Sequence, residues 1–324
     1  MTDIDEQQAA PTPPDGPTEA PPPKAPSGDP ALPSHASAWR RRIPLLPALI
    51  FTILLTQVPF VLSLWYSLTN WTVNPPLDRE FIGLGNYADL PGNDQFVDAA
   101  MVSIKITVAS VLLSVIFGTL IAILLDRKFF GQGFVRTLII TPFLIMPVVA
   151  GLIWKNQMFH ALYGVLNWVL ETLGFESVEF VSKYPLASIV IVLVWQWTPF
   201  MMLIMLAGLQ SQPSDVLEAA RVDGASSFGI FRQLTLPHLR RYIELGVLLG
   251  TIYLIQVFDH IAVITGGGPK STNLPFYVYR RSIGGGWLFG AASSYSIVVV
   301  VASIIIATFA LRVLSSLLKG DDAT

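Results

Sequence analysis

Long apolar runs alternate with short polar stretches along most of this chain. A helix that crosses roughly 30 Å of hydrocarbon needs about 20 apolar residues. Six runs are long enough, and they lie near residues 45–68, 104–125, 135–154, 185–209, 243–264 and 291–314. Hydrocarbon offers backbone amides no partners, and the runs are too uniformly apolar for alternating barrel strands. The pattern therefore predicts an all-α integral membrane protein with six transmembrane helices.

Prolines fall inside two of these runs. Pro142 and Pro147 lie in the third run and Pro199 lies in the fourth. Each removes a backbone hydrogen bond, so we expect bends in both helices. Such bends suit a channel-lining bundle, but proline is also common in ordinary membrane helices.

Basic residues at the ends of the runs orient the chain. Arginines at 40, 41 and 42 precede the first run, and basic residues accumulate in cytoplasmic loops. The loops after the second and fourth runs are also basic, whereas Lys270, Arg280 and Arg281 fall in a loop predicted to be external. The balance predicts a multi-pass membrane protein with both termini in the cytoplasm.

Composition changes sharply at the amino terminus. Residues 1–38 are rich in proline and poor in large apolar side chains, which predicts a disordered cytoplasmic tail ahead of a membrane domain at 39–320 and a short cytoplasmic tail at 321–324. Over the whole chain only 13% of residues are charged and the net charge is −2, which excludes a basic nucleic-acid-binding surface. There is no cysteine.

The polar loop at residues 210–241 is too polar to span a membrane and too regular for a linker. We expect Asp215 to cap a short helix and Gly224 to end it in a left-handed conformation. Phe228, Phe231 and Leu234 repeat every third residue, which predicts a second short amphipathic helix that ends at Pro237. The loop is therefore predicted to be a cytoplasmic helix–turn–helix.

One motif in this loop has a recognisable spacing. Glu218-Ala219-Ala220, Gly224 and Leu236-Pro237 follow the order Glu-Ala-Ala, three residues, Gly, nine residues, Ile-x-Leu-Pro, with Leu234 in the place of isoleucine. At these residues the chain resembles the permeases of binding-protein-dependent ABC importers. A plain amphipathic helix at the membrane surface is the alternative interpretation.

The resemblance implies an ABC type I importer arrangement with a cytoplasmic coupling helix, in the plasma (inner) membrane of a bacterium. It implies partners: a second homologous permease, two ATPase subunits that hold ATP and magnesium, and an external solute-binding protein. No cofactor and no catalytic residue are then expected in this chain.

Two further stretches resemble the carbohydrate branch of that family. They are Phe81-Ile82-Gly83-Leu84-Gly85-Asn86-Tyr87 and Thr265-Gly266-Gly267-Gly268-Pro269, the latter followed by Thr272, Tyr277 and Tyr279. This implies a sugar or polyol as the substrate. The glycine run is not a phosphate-binding loop, because Pro269 separates Gly268 from Lys270.

Polar residues inside the fourth and fifth runs are the candidates for a substrate path, because such groups are costly in hydrocarbon. Tyr253, Gln256 and His260 recur at i, i+3 and i+7, so they would share one helix face with Asp259 alongside. Trp195, Gln196 and Trp197 offer rings and an amide for sugar rings and hydroxyls. Packing or interfacial anchoring would explain the same residues equally well.

Other functions remain open at this point. An ion-driven secondary transporter would usually contain an internal repeat, and a membrane enzyme would need clustered acidic or histidine residues. The chain has neither a convincing repeat nor a metal-ligand motif, since His35, His160, His238 and His260 are scattered. A permease for a non-carbohydrate solute differs only in the outer-loop resemblance.

Overall fold

The computed structural model of the protein describes residues 43–319 except Asn74 and Leu77. The tail predicted for residues 1–38, the arginines at 40–42 and the tail predicted for 321–324 lie outside the described residues. The single membrane domain predicted for residues 39–320 stays a prediction.

The described residues are helical and contain no strand, apart from an isolated bridge between Thr69 and Phe81. A 3₁₀ turn at Ile43–Leu45 comes first, and π-helical turns lie at Trp154–Met158 and Phe231–Thr235. The α-helices are α1 Leu46–Ser67, α2 Gly85–Ala88, α3 Asp94–Leu125, α4 Gln132–Leu144, α5 Pro147–Ile153, α6 Val165–Thr172, α7 Phe180–Lys183, α8 Pro185–Gln210, α9 Ser214–Val222, α10 Ser227–Ile230, α11 Leu236–Leu254, α12 Asp259–Ile264, α13 Leu274–Arg281 and α14 Phe289–Lys319.

Four of these helices are long and apolar enough to cross a membrane, namely α1, α3, α8 and α14 over Phe289–Phe309. They correspond to the first, second, fourth and sixth predicted spans, and α3 begins ten residues earlier than expected. Pro199 lies inside α8, which runs on without a break. Internal contacts divide the chain into one unit up to Gln57 and another from Val58, so α1 begins in the first unit and ends in the second.

The third predicted span is not one continuous helix. It is split into α4 and the segment Pro147–Met158, which meet at an angle of 100°. Proline disfavours helical geometry in the residue before it. Met146 is accordingly extended at ψ 136°, and Ile145 has ψ 135°. Pro142 is accommodated inside α4. Pro147 therefore breaks the span where only a bend was predicted.

The fifth predicted span is also broken. Its first part is α11, which begins at Leu236 and ends at Leu254, and its second part is the short α12. Asp259 lies in the first turn of α12, where the positive end of the helix dipole stabilises its carboxylate. The apolar helices thus number four among the described residues, or five if the bent pair counts as one span. The predicted total of six stays a prediction.

Close packing of α3 against α8 forms the largest helix interface. Small residues recur along the buried face of α3, namely Ala99, Ser103, Thr107, Ser114, Gly118 and Ala122. A Cβ on Gly118 would overlap Met201 and the backbone of Met202 in α8. Small residues let membrane helices approach closely, so this stripe fixes the centre of the bundle. α11 approaches the same place, because a Cβ on Gly250 would overlap Met201 as well.

A candidate coupling segment and a buried polar junction

The loop at residues 210–241, which we call the coupling segment, is two helices joined by a tight turn. Its first helix, α9, follows Pro213, and no side chain caps its amino end. The prediction that Asp215 is the cap is wrong, because Asp215 lies inside the first turn. The positive end of the helix dipole still stabilises the Asp215 carboxylate there, and the negative end stabilises Arg221 in the last turn.

Gly224 terminates α9 as the sequence predicted. Its φ is +83°, in the left-handed region that residues with a Cβ resist. The Gly224 amide donates to the Arg221 carbonyl at 3.1 Å, and the Ala225 amide donates to the Ala220 carbonyl at 3.0 Å. These two bonds are the Schellman pattern of helix ends. A Cβ on Gly224 would meet nothing within 4 Å, so the glycine is needed for its backbone alone.

The second helix of the segment, α10, is capped by Ser226, whose hydroxyl accepts a hydrogen bond from the Gly229 amide at 3.1 Å. The prediction that Pro237 ends this helix is wrong. Pro237 is the second residue of α11, and the chain stays helical through the π-helical turn Phe231–Thr235. In that turn the Leu236 amide donates to the Phe231 carbonyl, five residues back. The wider turn relieves the clash that a proline ring makes in a regular helix.

The side chains of the motif residues in the coupling segment are largely exposed and make few contacts within the chain. Glu218 and Ala219 are exposed and Ala220 is half-buried. Glu218 forms no hydrogen bond or ion pair with any described residue. Val222 and Phe228 are 88% and 73% exposed. Apolar side chains exposed beside a charged one are typical of a surface that another protein covers.

A second cluster of candidate residues lies buried between the broken spans. The Gln196 side chain of α8 donates to the carbonyl of Ile145 at 2.7 Å and accepts from Nε2 of His260 in α12 at 2.7 Å. The break before Pro147 frees that carbonyl from the helix, and Gln196 satisfies it. We call these three residues the polar junction. Gln196 and His260 are both less than 5% exposed.

Two tryptophans of α8 precede and follow Gln196 in the sequence. Trp195 contacts Trp154 with ring centres 5.6 Å apart. Trp197 contacts Tyr253 at 5.5 Å and also touches Phe143 and Phe200. The structure therefore brings Trp197 together with Tyr253 and Gln196 together with His260, whereas Trp195 faces a different neighbour.

The helix face predicted for Tyr253, Gln256 and His260 does not exist. α11 ends at Leu254, so Gln256 lies in the irregular stretch before α12. The spacing i, i+3 and i+7 therefore does not place the three residues on one helix face. Tyr253 and Gln256 are exposed, His260 is buried and Asp259 is half-buried. The break in the fifth span separates residues that a continuous helix would have aligned.

Residues 114–318, most of the bundle, match the protein family described as binding-protein-dependent transport system inner membrane component. The chain belongs to this family. It is a transporter permease, and its similarity to named relatives extends beyond the matched region.

One relative is a probable ABC transporter permease, y4oQ, of Sinorhizobium fredii, which is 43% identical over 74% of this chain and 78% of its own. Another is the trehalose/maltose transport system permease MalF of Thermococcus litoralis, which is 33% identical over 80% of this chain and 88% of its own. A crystal structure of a bacterial ABC transporter that imports the acidic polysaccharide alginate has the same fold, with a TM-score of 0.74, 21% identity and coverage of 87% of this chain and 96% of that one.

The two motifs outside the coupling segment, at residues 81–87 and 265–272, make structural contacts at the ends of helices. Asn86 donates to the carbonyls of Ser67 and Thr69, both at 2.8 Å, and Tyr87 donates to the Ser67 hydroxyl at 2.7 Å. These bonds satisfy the carbonyl end of α1. In the other motif a Cβ on Gly267 would overlap the ring of Phe276, and Thr272 donates to the Gly267 carbonyl at 2.7 Å. Both motifs therefore have a structural role in this chain.

Sequence reasoning missed two participants in the permease interior. The Ile145 carbonyl has no side-chain signature, although Pro147 marked the break that exposes it. Lys155 donates to the carbonyl of Val263 at 2.9 Å and so joins the segment after α5 to the end of α12. A cation near a helix carboxyl end is favoured by the dipole, but α12 is invisible in a continuous apolar run.

Proposed function

We propose that this permease is one half of the membrane pathway of an ATP-driven importer for a sugar or related carbohydrate. The observation that carries the proposal is the coupling segment, whose exposed Glu218, Ala219 and Phe228 have a fixed backbone and no internal partner. The name of the trehalose/maltose relative supports the carbohydrate class.

In this proposal α9 docks into a groove on a cytoplasmic ATPase subunit, and two such subunits hold the ATP and magnesium. A second homologous permease completes the pathway, and an external solute-binding protein delivers the substrate. The family description, which names binding-protein-dependent transport, supports the last partner. The permease lies in the plasma membrane with both termini in the cytoplasm. ATPase closure would push α8 and α11 as rigid bodies through the segment between them.

The substrate path of the proposal passes the broken spans. Discontinuous membrane helices expose backbone groups that bind polar solutes. The exposed side chains of Tyr253 and Gln256 lie at the break of the fifth span, and the Trp197 ring contacts that of Tyr253. The buried Gln196 and His260 then position the two breaks and do not meet substrate directly.

The proposal is tested by deleting the gene and measuring uptake of labelled trehalose, maltose, a polyol and an amino acid, with the wild-type gene restored as the control. Loss of carbohydrate uptake that the restored gene reverses supports the proposal. Unchanged carbohydrate uptake with loss of another solute would reassign the substrate class.

A variant at the break tests the path itself. We expect Gln256→Ala to raise the KM for uptake several-fold and to leave the amount of assembled complex unchanged, because the side chain is exposed and makes no internal bond among the described residues. Complex lost in proportion to uptake would make Gln256 a packing residue instead.

A further inference from the structure

A cavity of about 900 Å³ with a mixed polar and apolar lining opens between α3, α13 and the loop that joins α12 to α13. It lies at the amino-terminal end of α3. The opposite end of α3 packs against the end of α8 that leads to the coupling segment, through Leu125 and Leu206. The cavity and the coupling segment are therefore at opposite ends of the bundle. With the coupling segment in the cytoplasm, the cavity faces outside.

Positive charge dominates this cavity. Lys105, Lys270 and Arg280 line it, and Asp98 is the one acidic side chain among its lining residues. The ion pair between Arg240 and Glu244 is elsewhere, and no described carboxylate lies within ion-pair distance of the three cations. Gln95 and Thr272 add an amide and a hydroxyl to the lining. An excess of cations over carboxylates in a concave site favours an anionic ligand.

The loop that carries Lys270 has a strained backbone. Lys270 has a φ of +61°, and it is one of two residues other than glycine with a positive φ in the described chain. Two side-chain hydrogen bonds hold the loop closed: Ser271 donates to the Gly268 carbonyl at 2.8 Å, and Thr272 donates to the Gly267 carbonyl at 2.7 Å. Backbone strain that the surroundings maintain is concentrated at functional sites. Arg280 is positioned from the other side, where it contacts the Gly267 carbonyl at 3.4 Å.

From this geometry we infer that the cavity binds the acid group of a negatively charged saccharide on the outer face. The inference rests on the proposed function and narrows its substrate class. The three cations attract a carboxylate or a sulfonate. Gln95 and Thr272 suit the hydroxyl groups of the same molecule, because amides and hydroxyls both accept from sugar hydroxyls. A volume of about 900 Å³ is within the usual range for small-molecule sites.

The test uses the full-length chain, in whatever membrane complex it purifies with, in nanodiscs of neutral lipid. Binding of digalacturonate and of its uncharged methyl ester is measured by saturation-transfer NMR. We expect Lys270→Gln and Arg280→Gln each to weaken digalacturonate binding by about 1.5- to fivefold, the range for exposed charge pairs. The exposed Lys183 lies outside the cavity lining, so Lys183→Gln is the matched control and should change nothing.

Asp98→Asn separates a binding role from a folding defect. Removing the one carboxylate should tighten digalacturonate binding by a similar factor, which a misfolded protein would not do. Binding of the methyl ester should be weaker than that of digalacturonate and should not respond to any of these variants. Equal binding of the two sugars, or indifference of digalacturonate to Lys270→Gln and Arg280→Gln, would overturn the inference.

Repeating the measurement with phosphatidylglycerol in the nanodiscs distinguishes a lipid headgroup. Full displacement of digalacturonate by that lipid would assign the cavity to a lipid phosphate and would overturn the saccharide assignment. The ATPase content of the same purified complex is read separately by mass spectrometry. A complex that contains an ATPase but fails to bind digalacturonate contradicts this inference and leaves the importer proposal standing.

Discussion

The coupling segment and the polar junction hold their residues in opposite ways. In the coupling segment Glu218, Ala219 and Phe228 are exposed, and the chain fixes only the backbone beneath them through Gly224 and Ser226. In the junction Gln196 and His260 are buried, and the side chains themselves are bonded. The first region is therefore shaped for another protein, whereas in the second Gln196 is bonded within the chain to both the Ile145 carbonyl and His260.

This difference determines what a substitution should do. A change in the junction should lower the stability of the permease, whereas a change in the coupling segment should leave the permease folded and impair its coupling. The comparison would be wrong if a junction variant impaired coupling without lowering stability, or if a coupling-segment variant lowered the stability of the permease.

The largest effect on stability is expected for Gln196→Leu. It leaves the Ile145 carbonyl and the His260 ring buried without their partner, which should lower the free energy of unfolding by about 1–3 kcal/mol, the usual cost of an unsatisfied buried polar group. Thermal unfolding of the purified permease in nanodiscs measures it. Gln210→Leu is the control, because Gln210 is an exposed glutamine on the same helix. Equal melting temperatures for the two variants would show that the junction contributes nothing.

Substitution of Gly224 should act on coupling. Gly224→Val forces a β-branched residue to φ +83°, at a local cost of about 1–2 kcal/mol, without any clash because the surrounding space is open. We expect uptake to be lost while the melting temperature and membrane insertion stay near those of wild type. Asparagine tolerates the left-handed region, so Gly224→Asn should retain most of the uptake. Normal uptake by the valine variant would argue against a coupling role for this turn.

The sequence predicted the coupling segment in more detail than the polar junction. The coupling segment was predictable because its signals are local: a glycine ends α9, and the motif spacing places both helices in one loop. The exceptions were Asp215 and Pro237. The amino end of α9 is set by Pro213, and the π-helical turn depends on how α10 continues into α11. The junction was predictable only as a set of polar residues. Its geometry depends on two helix breaks, and an apolar run does not reveal where a span such as α11 ends.

A smaller effect is expected at the second helix of the coupling segment. Ser226→Ala removes the cap on the Gly229 amide and should destabilise α10 locally by about 1 kcal/mol, which speeds amide hydrogen exchange roughly fivefold. Hydrogen exchange read by mass spectrometry over residues 227–235 checks this. The neighbouring Ser227→Ala provides the control, because the Ser227 hydroxyl bonds to no described residue. Unchanged exchange in the Ser226 variant would mean that the helix is held by packing alone.

Co-purification of the permease from its native membrane tests the central claim most directly, that the coupling segment docks on an ATPase. Wild type is compared with Glu218→Lys and with Glu171→Lys, which reverses an exposed charge on α6 away from the segment. Mass spectrometry should find a P-loop ATPase and a second permease with wild type and with Glu171→Lys, and should find the ATPase lost with Glu218→Lys at an unchanged yield of folded permease. A permease that purifies alone in every case, or an ATPase retained equally by Glu218→Lys, would contradict the account.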